Sequence, residues 1–152
     1  MWLYSLFFVL IGISISFAPL VSVQNSHTND KSDIMEASNY ITYRNMVRNF
    51  AVNNVNYSGN NLALDMPETW IDYGLWDSRM DSKTAYAYGM ASPAVEGAVM
   101  EKLNYPINTG VKQGSFLVTH YPDGNGTLVV DDIPLPSYIS DGALVSVFVV
   151  NE

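Results

Sequence analysis

The chain has 152 residues, with 15 acidic side chains against seven basic ones, a formal net charge of −8 and no cysteine. With no basic stripe to meet phosphates, nucleic-acid binding is excluded, and the missing cysteines exclude disulfides, thiolate metal sites and cysteine nucleophiles. Setting aside an apolar N-terminal stretch, about 130 residues remain, enough for one domain with a real core and too few for two.

That stretch, Trp2 to Val23, holds 22 residues and no charged side chain. About 20 apolar residues at 1.5 Å each span a bilayer core of roughly 30 Å. A cleaved signal peptide needs a basic n-region and a small-x-small site. Here Ser16-Phe17-Ala18 would leave Pro19 just after the cut, and no basic side chain precedes the apolar run. A prepilin leader would show a processing glycine and a glutamate five residues into the run, and neither is present. Residues 1–23 are therefore read as an uncleaved transmembrane anchor, with Trp2 and Tyr4 suited to the interface. Lys31, Arg44 and Arg48 follow it, so charge alone weakly favours a cytoplasmic domain. Residues 24–32 read as a polar linker and residues 33–152 as the domain.

Asp33 and Glu36 make an acidic capping box. Ala37, Tyr40, Ile41, Tyr43, Val47, Phe50 and Ala51 then recur at helical spacing as one apolar face. Arg44 and Arg48, four apart, are placed on another side, either as a partner-docking face or as a solvated one. Leu62–Leu64 is a short strand candidate that Pro67 breaks. Trp70, Tyr73 and Trp76 recur at three-residue spacing, either as a surface patch for a partner or sugar or as the cover of a core edge. Thr84–Met90 alternates small and aromatic residues, a strand with a tyrosine face of Tyr86 and Tyr88. Ser92-Pro93 opens a second helix to about Leu103, with Val95, Val99 and Leu103 four apart and Gly97 and Ala98 allowing close approach to a sheet. Short strands are expected at Ile107–Val111, Ser115–Tyr121 and Thr127–Asp131, the last two joined by a hairpin loop over Pro122–Gly126. Asp141-Gly142 is a turn, and Ala143–Val150, nearly all apolar, reads as a central strand buried on both faces. The fold class is α+β: a transmembrane helix, then a small domain of two helices packed on an antiparallel sheet.

Chemistry-bearing residues are sparse. His27 and His120 have no partner at metal-ligand spacing. Residues 123–127 begin like a calcium loop, but position 12 is Pro134 and the flanks are strands. There is no G-x-S-x-G, S-x-x-K, Walker or G-x-G-x-x-G pattern. No catalytic residue, cofactor or metal is expected.

The order of parts resembles a known family. Tyr43-Arg44-Asn45 with Phe50, then Pro67 and Trp76, Ala85-Tyr86-Ala87-Tyr88 and the proline-started helix lead to Leu135-Pro136-Ser137-Tyr138-Ile139-Ser140-Asp141-Gly142-Ala143-Leu144-Val145. This is similar to the PilM family of type IVB (thin-pilus) operons of conjugative plasmids, whose tail reads L-P-x-x-I-x-D-G-x-x-V. The likeness is to the small membrane PilM, not the actin-like protein of the same name. The resemblance implies an inner-membrane protein with a periplasmic C-terminal domain, which joins the basal body or assists pilin transport. It implies other pilus assembly proteins as partners, and no catalytic residues. It also outweighs the charge signal on orientation. The alternative is an exported binding module, or a pilin-like minor subunit, using Trp70, Tyr73 and Trp76. Candidate partner-binding residues are Arg44, Arg48, Trp70, Tyr73 and Trp76.

Overall fold

The computed structural model describes residues 30–122 and 128–150. The anchor at Trp2–Val23, His27 and residues 123–126 of the expected hairpin loop lie outside these. No helix among the described residues is long and apolar enough to cross a membrane.

A helix, α1, runs over residues 30–53, so residues 30–32, expected as linker, are already helical. Its three-and-four spacing turns Ala37, Tyr40, Val47 and Ala51 fully inward. The second helix, α2 (Pro93–Lys102), starts where its signals place it: the Ser92 hydroxyl accepts the Val95 N–H at 3.2 Å, and proline occupies the first turn. Val95 and Val99 join the same core as α1. Gly97 corrects its expectation: nothing lies within 4 Å of where its Cβ would be, so it faces outward and brokers no close approach.

Seven strands form one antiparallel sheet: β1 (Gly59–Asn60), β2 (Asp77–Asp81), β3 (Thr84–Met90), β4 (Thr109–Gln113), β5 (Phe116–Pro122), β6 (Leu128–Pro134) and β7 (Ala143–Val149). Their order across the sheet is β1-β2-β3-β7-β4-β5-β6. The last strand in sequence is therefore the middle one in space, which explains its apolar run. Alternate residues of β7 serve two cores. Leu144 and Phe148 face the helices, with Met80, Ala85 and Ala87. Ala143, Val145 and Val147 face away, into a second core with Tyr86, Leu117, Leu135 and Ile139.

Among the described residues, no helix covers that second face. The segment from Leu135 to Gly142 crosses it. Leu135 and Ile139 are buried in it, and the Tyr138 ring meets those of Tyr86 and Tyr88 at 6.3 and 6.2 Å. The β4–β5 hairpin holds the segment at both ends. The Leu135 N–H donates to the Ser115 carbonyl at 2.8 Å and the Gly142 N–H to the Lys112 carbonyl at 2.9 Å. The Asp141 carboxylate accepts the Gly114 N–H at 2.7 Å. Gly114 and Gly142 have φ of +61° and +80°, a region L side chains disfavour. The tail is thus a cover for the sheet as well as a turn.

Two strands differ from expectation. Leu62–Leu64 is not a strand: Leu62 is buried and its N–H donates to the Ser78 hydroxyl at 3.2 Å, while the edge pairing is made by Gly59 and Asn60. β2 has no sequence signature, because its buried face is Ser78 and Met80 and its other face is charged.

Candidate interaction site

Arg44 lies four residues after Tyr40 and three before Val47, so helical spacing puts it on the sheet-facing side of α1. Only 8% of it is exposed, which corrects the expectation of a solvated arginine pair. A buried guanidinium needs acceptors. Ser146, the one polar residue in the middle of β7, supplies the first, accepting Arg44 Nε–H at 3.1 Å. Asn45 Oδ1 accepts from Nη1 at 3.3 Å, and the Phe148 ring lies 5.0 Å beneath the guanidinium carbon.

Ser146 is the hub of a buried polar cluster. Its Oγ lies 3.0 Å from Tyr40 Oη and 2.8 Å from Thr109 Oγ1. Tyr40 Oη also lies 3.1 Å from the Ala87 carbonyl oxygen. That carbonyl can only accept, so the phenol proton goes there, and the Ser146 proton completes the bond to Tyr40. Ser146 then accepts from both Arg44 and Thr109, and every member is satisfied. Burial pushes the Tyr40 phenol well above its ordinary range, so it stays a neutral donor. Burial also lowers Arg44, with the like charge of Arg48 adding to it. Among the described residues, no carboxylate contributes.

Arg48, one turn on, is exposed. The two arginines line one groove of about 700 Å³ with Asn108, Val147, Phe148 and Val149. The structure therefore brings these two candidates together.

It divides the aromatic trio. Trp76 is buried and meets Tyr40 edge-on at 4.8 Å. Trp70 is half-buried and stacks on Tyr43 at 5.9 Å; burial raises the Tyr43 phenol to about 12. Tyr73 alone is exposed. It lines a second groove of about 300 Å³ with Ile34, Met35, Trp70 and Ile71, at the other end of α1. Trp76 lines neither of these, but shares a further groove of about 380 Å³ with Trp70 and Tyr43. The residue that organises this loop is Asn39. Its carboxamide oxygen accepts Trp76 Nε1–H at 2.7 Å, its carbonyl accepts Trp70 Nε1–H at 3.4 Å, and its amide donates to the Ile71 carbonyl at 2.9 Å. An asparagine inside a helix carries no local sign of that role, and Ser146 was equally hidden in an apolar run.

Among the described residues, no three His, Cys, Asp or Glu side chains gather as a metal site. What the geometry of the described residues defines is a small α+β domain with two helices on a seven-stranded antiparallel sheet and several open grooves along α1, Arg44 and Arg48 in one and Trp70 and Tyr73 in another.

The model of the PilM family matches residues 7–147, and the chain belongs to that family. A crystal structure of a PilM protein from Escherichia coli B7A shares the fold, with a TM-score of 0.56 at 15% identity, covering 78% of this chain and 92% of that one. No curated protein matches the chain.

Proposed function

We propose that the chain is a component of a type IVB pilus assembly apparatus, anchored in the inner membrane by residues 2–23 with its C-terminal domain in the periplasm. It acts by protein–protein contact, in the basal body or in pilin transport, and not by catalysis. The observation that carries this reading is family membership along residues 7–147, which takes in most of the apolar segment as well as the domain. An anchor confines the domain to the membrane plane and raises its effective concentration near other anchored subunits. The separation of Trp76, Trp70 and Tyr73 into core, half-buried and exposed positions weighs against a sugar-binding aromatic platform.

Deleting Trp2–Val23 tests the reading. The shortened protein is expected to leave the membrane fraction and to abolish pili in a host deleted for the native copy. Normal piliation by the shortened form would overturn it, as would a reporter fused after Glu152 that is active only in the cytoplasm.

A further inference from the structure

The middle strand of the sheet outruns its neighbour. β4 pairs with β7 only from Thr109 opposite Ser146 to Val111 opposite Leu144. One step further, Asn108 closes the ladder: its carbonyl accepts the Val147 N–H at 2.9 Å, and its side-chain amide donates to the Val147 carbonyl at 2.9 Å. The chain then turns away, with Thr109 N–H on the Pro106 carbonyl at 3.3 Å. β7 continues to Val149, still opposite Thr84 of β3.

Strand parity fixes where the last groups point. The Val150 N–H donates to the Lys83 carbonyl at 2.8 Å, towards β3. Successive residues alternate, so the N–H and C=O of Val149 point the other way, as those of Val147 do. They face the lane that β4 has vacated, and no described strand pairs with them there. Val149 is 65% exposed. The groove confirms an open lane. Phe148 and Val150 belong to the helix-side face and Val147 and Ile133 to the other, yet all line one cavity. The end of the β4–β7 pairing at Thr109 accounts for that.

The lane also has a charge. Arg44 and Arg48 stand over it, and among the described residues no carboxylate lines it. Among the described residues the single ion pair is Arg79–Asp81, elsewhere in the sheet. In a chain of net charge −8, this is a local cationic site with unpaired strand edge and apolar walls. A second copy would bring the same surplus of negative charge and be repelled at long range. A strand added beside an open edge is instead held by its backbone, with side chains giving specificity.

We infer that the lane beside Val149 receives an extended, carboxylate-bearing segment of another protein, which pairs its backbone with Val149 and sets an acidic side chain on Arg48 and Arg44. The identity of that protein as a pilus component rests on the function proposed above; the recognition itself does not.

The test uses the full-length chain in detergent and a fluorescein-labelled heptapeptide in which valine alternates with aspartate. The same peptide with asparagine for aspartate is the control. The aspartate peptide is expected to bind about tenfold tighter than the control at low salt, as charge-assisted contacts to arginine would give. Arg48→Glu, at an exposed position, should erase that preference without altering the circular dichroism or melting curve. Val149→Pro removes an N–H that no described strand uses and should weaken both peptides equally. Equal binding of the two peptides, binding of neither, or an undiminished preference in Arg48→Glu would overturn the inference. So would self-association abolished by Arg48→Glu, which would give the lane to a second copy. Binding seen only with a chain ending at Val150 would give it to the chain's own last residues. A failed peptide test alongside pili lost on deleting Trp2–Val23 would remove the lane and leave the anchored component standing.

Discussion

Ser146→Ala removes one hydroxyl from the middle of the sheet, and the cluster around it fixes the cost. Ser146 is fully buried and touches three side chains. Tyr40 keeps its donation to the Ala87 carbonyl, so it loses only an accepted bond. Arg44 Nε–H and the Thr109 hydroxyl each lose an acceptor inside the core. A buried group left unsatisfied costs about 1–3 kcal/mol. Two such groups give about 2–6 kcal/mol, and the open groove lets Arg44 relax towards water, so about 2–4 kcal/mol is expected. Against a total of about 5–15 kcal/mol, that is a large fraction. Urea unfolding of residues 30–152 followed by tryptophan fluorescence would measure it, since Trp76 sits against Tyr40 in this core. Adding Thr109→Val to Ser146→Ala removes one orphaned donor and should recover about 1–2 kcal/mol. A Ser146→Ala protein within about 0.5 kcal/mol of wild type at unchanged m would refute the reasoning. So would a Thr109→Val change that adds to the loss.

Two further substitutions test the sheet from other sides. Thr119 is fully buried and its hydroxyl has no hydrogen-bond partner among the described residues, so Thr119→Val should stabilise the domain by about 1 kcal/mol in the same unfolding assay; a loss of stability would show that the hydroxyl is satisfied after all. Asp81 is held by Arg79 Nε at 2.9 Å and the Tyr138 hydroxyl at 2.7 Å. Burial opposes its ionisation, but these two hydrogen bonds and the arginine charge outweigh that and keep its carboxyl below the usual 3.8. A depressed carboxyl contributes stability above its unfolded value, and the contribution is lost as pH falls through the folded one. The Tm difference between wild type and Asp81→Asn should therefore be constant near neutrality and close as pH drops below about 4. A difference unchanged down to about pH 2 would contradict the assignment.

Where a segment's own chemistry decides its structure, the sequence was readable. Ser92-Pro93 starts α2 by local capping. The apolar run of β7 needs burial on both faces whatever its partners. β2 could not be read, because Asp-Ser-Arg-Met-Asp becomes a strand only through its pairing with β3. Arg44 shows the same limit at the site. Its spacing from Tyr40 and Val47 is that of the inner face, although from sequence it is expected with Arg48 on another side. What reconciles the two is Ser146, 102 residues away in sequence. A buried arginine is legible only when its acceptor is, and this acceptor is brought by the last strand.

The segment from Leu135 to Gly142 decides where that strand goes. Because Asp141 and Gly142 are tied to the β4–β5 hairpin, β7 enters the sheet at a fixed register beside β4. That register puts Ser146 opposite Thr109 and under Tyr40 and Arg44. It also sets how far β7 runs past Thr109, and so leaves Val149 with no described partner on the β4 side, beside the arginines. A one-residue slip would turn Ser146 to the far core and send the Val149 groups towards β3. The tail residues Leu135 to Gly142 touch no partner groove, yet they position the polar hub and the open lane together. Their sequence pattern is therefore accounted for by the register of one strand, and the docking surface inherits its geometry from that register.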